Sequence, residues 1–233
     1  MPRIMYATLD AGRITATVRD ISQRLSEEFP GSGLSQVSVS LCDLADVSAA
    51  RARRLARPDW RIRIPVGLAV AALIGVASFA LTRLPRIDLA SSMSDLAQGL
   101  EAGVSDIIFL GVALFFLFSL EARSKRRLAL AGLNDLRSIA HVIDMHQLTK
   151  DPEIARHAGE AKTMSRIEIA RYLDYCSELL AVTSKLAALH LQAFSDPVVL
   201  DSVNGIQALT LGLSGKIWQK IMILDMVASA ARR

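Results

Sequence analysis

The sequence predicts an all-α protein, in which a two-span transmembrane helical hairpin is joined to a cytoplasmic antiparallel helical bundle. Three observations predict it. Two apolar runs, at 64–82 and 107–120, each have an arginine-rich cluster on one outer side. Elsewhere apolar residues return every three or four positions, the period of an amphipathic helix. Helix-start signals recur along the chain, whereas glycine and proline breakers gather in a few places.

The N-terminal region, 1–60, is expected to be cytoplasmic and helical. Ile14, Val18, Ile21 and Leu25 lie on one helical face, and the helix they form should stop at Phe29-Pro30-Gly31-Ser32-Gly33, a dense set of breakers. Leu34, Val37, Leu41 and Leu44 continue the spacing in a second helix that runs to the arginines. The alternation Val37, Val39, Leu41 also fits a short strand. Pro58 and Pro65 punctuate the entry to the first apolar run.

The hairpin is expected at 61–122. Its first run holds 19 residues without a charge, roughly 28 Å of helix against a hydrocarbon core of about 30 Å. The second has 14 uninterrupted apolar residues, so the span must begin near 102 and extend to 120, with Asp106 at the water boundary. Phe109, Phe115, Phe116 and Phe118, without a compensating polar face, set this run apart from the core helix of a soluble protein. Leu89, Met93, Leu96, Leu100 and Val104 share one face, which predicts an outer amphipathic helix at about 89–104. After the second span no breaker appears before Thr149, so one rod should continue through His146.

Orientation comes from the arginines. Arg51, Arg53, Arg54, Arg57, Arg61 and Arg63 precede the first span and Arg123, Lys125, Arg126 and Arg127 come after the second, while the connection has only Arg83 and Arg86. The positive-inside rule then puts both termini in the cytoplasm. With 21 arginines to 6 lysines and abundant alanine, the composition is that of a GC-rich bacterial genome, and the expected location is the inner membrane. Arg61, Arg63, Arg123, Lys125, Arg126 and Arg127 are the expected contacts to anionic lipid head groups, at about 1 kcal/mol each.

The bundle is expected at 123–233. Asp151-Pro152-Glu153 and Asp196-Pro197 each set a capping carboxylate before a proline at the first helical position. Ser165-Arg166-Ile167-Glu168 is a capping box. Long helices should start from the last two of these signals, near 166–194 and 197–229. In the second of them Val199, Val203, Ile206, Leu213, Ile217, Leu224 and Val227 fall on a 3.5-residue repeat, the pattern of a helix against antiparallel neighbours. The 128–233 segment holds 11 basic and 11 acidic residues. With that balance and its own caps it is expected to fold alone, and nucleic acid is not an expected partner.

Chemistry is sparse. There is no E-x-x-H pair, C-x-x-C, phosphate loop or G-x-S-x-G. His141 and His146 stand ~140° apart on a helix and cannot share a metal from one rod. Cys42 and Cys176 suit small apolar packing in a reducing compartment. No catalytic residue, cofactor or metal is therefore expected. The candidate sites are of other kinds. Gly67, Ala71 and Gly75, with Ser78 a turn on, form a small-residue face for helix packing. Asn134, Arg137, His141 and Asp144 form a polar stripe that could be a docking face, a buried network or a solvated surface. Glu168, Tyr172, Tyr175 and Glu178 could line a cleft. Neither span contains an internal ionisable residue, which argues against ion-coupled transport. The expected function is a membrane-anchored scaffold or adaptor, with lipids and either a second copy or another membrane or cytoplasmic protein as partners. An oligomeric pore ringed by Asp106 is the alternative, and a membrane-anchored enzyme a more distant one.

Overall fold

The computed structural model describes residues 8–83, 93–148 and 164–230, with the side chains at 73, 76, 77, 79–83, 93–107, 110, 118 and 227–230 left out. Among them every regular element is a helix: α1 Ala11–Glu28, α2 Gly33–Ala56, α3 Trp60–Arg83, α4 Met93–Leu148, α5 Arg166–Ala193 and α6 Pro197–Ala230. The strand considered at 37–41 is helical. The helices divide between two compact units, one formed by Met1–Ala56 with Arg126–Arg233 and the other by Arg57–Lys125. The unbroken helix α4 contributes to both, and its end at Leu148 matches the rod read from the lack of breakers.

In the first unit, α1 starts where Asp10 accepts backbone N–H bonds from Gly12 (2.7 Å) and Arg13 (3.2 Å), a cap absent from the sequence-based expectations. It ends with the Phe29 N–H on the Leu25 carbonyl at 2.8 Å. Gly31 then takes φ +72°, a conformation costly for other residues, and turns the chain into α2. Ser22 pairs with Ser38 at 2.8 Å and Ser26 with Ser35 at 2.9 Å between the two helices. The later turns of α2 bury the small residues Ala45, Ala49 and Ala52, so neighbouring helices can lie close.

These two helices share one core with the C-terminal half of α4 and with α5 and α6. Val18, Leu25, Leu34 and Leu41 are fully buried, and α1 and α2 both pack on α5. Phe29 meets Tyr172 edge to face at 5.5 Å. The 128–233 segment, expected to fold alone, thus shares its core with 1–56. The physical reason is that α5 is apolar on several sides: Tyr172, Leu173, Cys176, Leu179, Leu180 and Leu186 are all at most 1 % exposed, and α6 cannot cover them all.

The capping signals at α5 and α6 are realised. Ser165 Oγ accepts from the Glu168 N–H while the Glu168 carboxylate accepts from the Ser165 N–H. Asp196 accepts from Val198 (3.0 Å) and Val199 (3.4 Å). It also receives two hydrogen bonds from Arg126, Nε at 3.0 Å and Nη2 at 2.7 Å. At the other end of the bundle Lys220 Nζ donates to the Gln147 carbonyl at 3.3 Å, so this half of α4 and α6 run parallel. Asp151-Pro152-Glu153 lies outside the described residues.

In the second unit Glu121 of α4 gathers three donors: the Asp59 N–H at 3.3 Å, Arg63 Nε at 2.8 Å and Lys125 Nζ at 3.2 Å. Among the described residues no helix is long and apolar enough to cross a membrane. The spans expected at 64–82 and 102–120 draw no support from them. Of the outer helix expected at about 89–104, residues 89–92 lie outside the described residues and the remainder forms the first turns of α4.

Two measurements of stability check this architecture. Asp196→Ala should destabilise the protein by about 1 kcal/mol or more, the cost of a lost cap with Arg126 stranded besides, and Asp196→Asn by less because asparagine still caps. A fragment of 128–233 should lack a cooperative unfolding transition in circular dichroism, whereas adding 1–56 as a second fragment should restore one.

Candidate functional site

Among the described residues no group of three or more His, Cys, Asp and Glu stands where it could hold a metal ion. The two thiols are free. Burial raises both, Cys176 to about 12, which leaves them protonated and poorly nucleophilic near neutral pH.

The most constrained polar group is His190, fully buried on α5. Its Nδ1 lies 3.1 Å from the Leu186 carbonyl, an arrangement that puts the proton on Nδ1 and leaves Nε2 as an acceptor. Nε2 has no hydrogen-bond partner among the described residues and faces Gly132 of α4, where an added Cβ would lie 2.6 Å from it and 3.1 Å from Arg51 Nη1. Arg51 of α2 in turn holds Asp135 of α4 at 2.6 Å. Three helices therefore meet on a glycine, a neutral imidazole and an ion pair. Burial first, then the charge of Arg51, lowers the His190 pKa below its ordinary value. The sequence alone gives His190 no role. The available signal is its register, four residues after Leu186 and eleven after Leu179 on a buried face.

The expected polar stripe is dispersed. Asn134, Arg137 and His141 are exposed, and Asp144, half-buried, accepts from the Gln147 amide. Arg137 Nη2 lies 3.5 Å from where a Cβ on Gly205 of α6 would be. The four do not form a buried network. Nor do Glu168, Tyr172, Tyr175 and Glu178 line a cleft: Tyr172 is in the core, Tyr175 donates to Glu28 at 3.0 Å and Glu178 receives Arg24 at 3.1 Å. Arg171 adds a bond to Glu28 at 2.5 Å, and this polar set fastens the end of α1 to α5.

Of the basic residues read as lipid contacts, Arg126 is held by Asp196, and Arg63 and Lys125 by Glu121. Arg123 lies 5.0 Å over the Phe116 ring. Arg61 and Arg127 have no carboxylate partner among the described residues, and neither is buried. On α3, Gly67, Ala71, Gly75 and Ser78 are exposed, and among the described residues nothing lies within 4 Å of a Cβ added at Gly67 or Gly75. Gly67 does line a groove of about 370 Å³ with Val66, Val70 and Leu117, closed at one side by Arg63 and Glu121.

Two surface grooves stand out among the described residues of the first unit. One, about 570 Å³, lies between α2 and α4, with Gln36, Ser40, Asp135, Ile139 and His146. The other, about 470 Å³, lies between the start of α5 and the end of α6, with Ile167, Ala170, Trp218 and Ile221 inside a charged rim. No protein-family model matches the chain, and neither a curated protein nor a solved structure matches it.

The buried histidine carries a pH test. A side chain whose folded pKa is depressed stays neutral in the fold while the unfolded chain takes up a proton as pH falls below 6.5, the ordinary value. Stability should then drop between about pH 7.5 and about pH 5.5 in urea unfolding. His190→Leu should remove a measurable part of that drop, and an unchanged pH dependence would show that another group is responsible.

Proposed function

We propose that the chain is an integral protein of the bacterial inner membrane, in which a hairpin with spans at about 64–82 and 102–120 anchors a cytoplasmic helical module that binds other proteins or a second copy of itself. The observation that carries the proposal is the contrast between the two units. The first has a buried apolar core to which none of the described residues of the second belongs, although Leu211 and Ile167 stand exposed outside it. Along the second, Leu68, Ile74, Ile108, Val112 and Phe116 are more than half exposed, and Phe109 and Phe115 are each 73 % exposed. Apolar area on that scale is costly in water at about 25 cal/mol per Å² and costs nothing against acyl chains.

Two further features support it. The 64–82 segment contains no charge, as hydrocarbon requires. Trp60, 63 % exposed, stands at the start of α3 beside Arg61, where an indole and a guanidinium suit the head-group layer. Arg61 and Arg127, without carboxylate partners among the described residues, are the side chains most available to anionic lipid. The scaffold reading is favoured over an enzyme because Asp196, Glu121, Glu28, Arg51 and Arg126 are committed to capping and to helix–helix contacts.

Cysteine labelling in a Cys42/Cys176-free background tests the topology. An impermeant reagent should label a cysteine at Ser92 from outside intact cells, but cysteines at the exposed Ser40 and Asn204 only after the cells are opened. Ser48 is buried and would be a misleading choice. Labelling of the Asn204 position in intact cells, or recovery of the protein in the aqueous fraction at alkaline pH, would sink the anchor.

A further inference from the structure

The last helix is apolar on two sides. Its inner side, with Val203, Ile206, Leu213, Ile217 and Leu224, belongs to the core. On its outer side Leu211, Trp218, Met222 and Ile223 are 75, 59, 60 and 60 % exposed. Leu211, Trp218 and Met222 fall within ~40° of one another around the helix, and Gly215 lies between them. Among the described residues nothing is within 4 Å of a Cβ added at Gly215. A glycine there costs α6 about 1 kcal/mol relative to alanine, and it leaves the middle of the stripe low enough for another backbone to approach. Large apolar side chains exposed together in this way mark a surface that a partner normally covers. The apolar surface continues onto α5 through Ile167, 74 % exposed, which shares the 470 Å³ groove with Trp218.

The rim of that groove points to one occupant. Arg166 carries positive charge, Asp174 and Asp225 negative, and none of the three has an ion-pair partner among the described residues. Arg171, the remaining rim charge, is occupied by Glu28. A surface with both signs around an apolar centre can complement itself under a two-fold rotation, Arg166 of each copy facing an aspartate of the other, whereas a partner of a single sign would be repelled either by Arg166 or by both aspartates. The face lies toward the end of the bundle marked by Lys220 and Gln147, opposite the end marked by Arg126 and Asp196, where α4 enters this unit.

We propose that this face is the docking surface for a second copy of the chain. Met222 meets its counterpart near a two-fold axis, Trp218 and Ile167 are covered, and Arg166 of each copy is brought to the level of Asp225 of the other. The proposal rests on the reading of the module as self-associating and names the surface responsible.

The test uses full-length protein in mild detergent, with Trp60→Phe leaving Trp218 as the sole tryptophan of the two in the chain. Sedimentation equilibrium should report a dimer that dissociates on dilution, and Trp218 emission should move to longer wavelength as it does. Met222→Asp should weaken the dimer by on the order of tenfold or more with circular dichroism unchanged. Arg166→Glu should weaken it, and Arg166→Glu combined with Asp225→Arg should restore it, a rescue that only a self-complementary rim produces. A wild-type monomer at every concentration would overturn both the dimer and the self-association reading. A dimer indifferent to Met222→Asp and to the charge exchange, with Trp218 emission constant on dilution, would overturn this face and leave self-association standing.

Discussion

Covering α5 is the constraint on which the rest of the first unit depends. Its buried positions, from Ile169 through Leu173, Leu180 and Leu186 to His190, occur at so many angles that no single neighbour can dry them. Each large apolar side chain left open would forgo about 1.5–3 kcal/mol. The chain meets the requirement from both ends, with α1 and α2 on some sides and α6 and the second half of α4 on others. Arg57–Lys125 is accordingly an insertion between two halves of one core. Such an insertion is thermodynamically tolerable because the entropy of closing a loop grows only with the logarithm of its length.

The polar contacts at these helix junctions select geometry more than they supply stability. Arg171 is 64 % exposed and Arg19 57 %, and pairs of that kind are worth up to about 1 kcal/mol. What they do is set rotation and register: Glu28 takes Arg171 and Tyr175 together, so α1 can stop against α5 at only one level. The Arg126–Asp196 pair is stricter. The carboxylate that Arg126 grips also caps α6, so the place where α6 begins and its level against α4 are decided by one side chain. Arg126 holds that carboxyl below the usual carboxylate range, which keeps it ionised for both tasks.

Local features are legible in the sequence and pairings across the chain are not. The faces Ile14–Val18–Ile21–Leu25 and Val199–Val203–Ile206–Leu213–Ile217–Leu224 are buried, because periodicity reports which side of a helix is wet. The caps at Ser165 and Asp196 are legible because capping is settled within four residues. Periodicity does not say which distant face will cover a given stripe, and so the docking of α1 and α2 onto α5 cannot be read from it. The same limit applies to charge. Arg51, Arg63, Lys125 and Arg126 count as membrane-proximal cations in a sequence, yet their partners Asp135, Glu121 and Asp196 are chosen by the fold. His190 escapes notice for a related reason: a histidine among leucines looks like an exception until a glycine on another helix is found against its ring.

The distribution of paired and unpaired arginine sharpens what an anchored arrangement would demand. A guanidinium already bonded to a carboxylate offers a lipid phosphate little net charge, since the phosphate must compete with a fixed partner at 2.7 Å for Arg126 or 2.8 Å for Arg63. A guanidinium without such a partner keeps its full attraction, about 1 kcal/mol at an anionic surface. Arg53, Arg54, Arg57, Arg61 and Arg127 have no carboxylate partner among the described residues and are of this second kind. Arg53 and Arg54 precede the second unit, Arg57 and Arg61 open it and Arg127 follows it, so the charge asymmetry that an anchored hairpin would need survives after the fold has taken its share. The paired residues would then hold helices together while the free ones faced the head groups, a division of labour invisible to any count of basic residues.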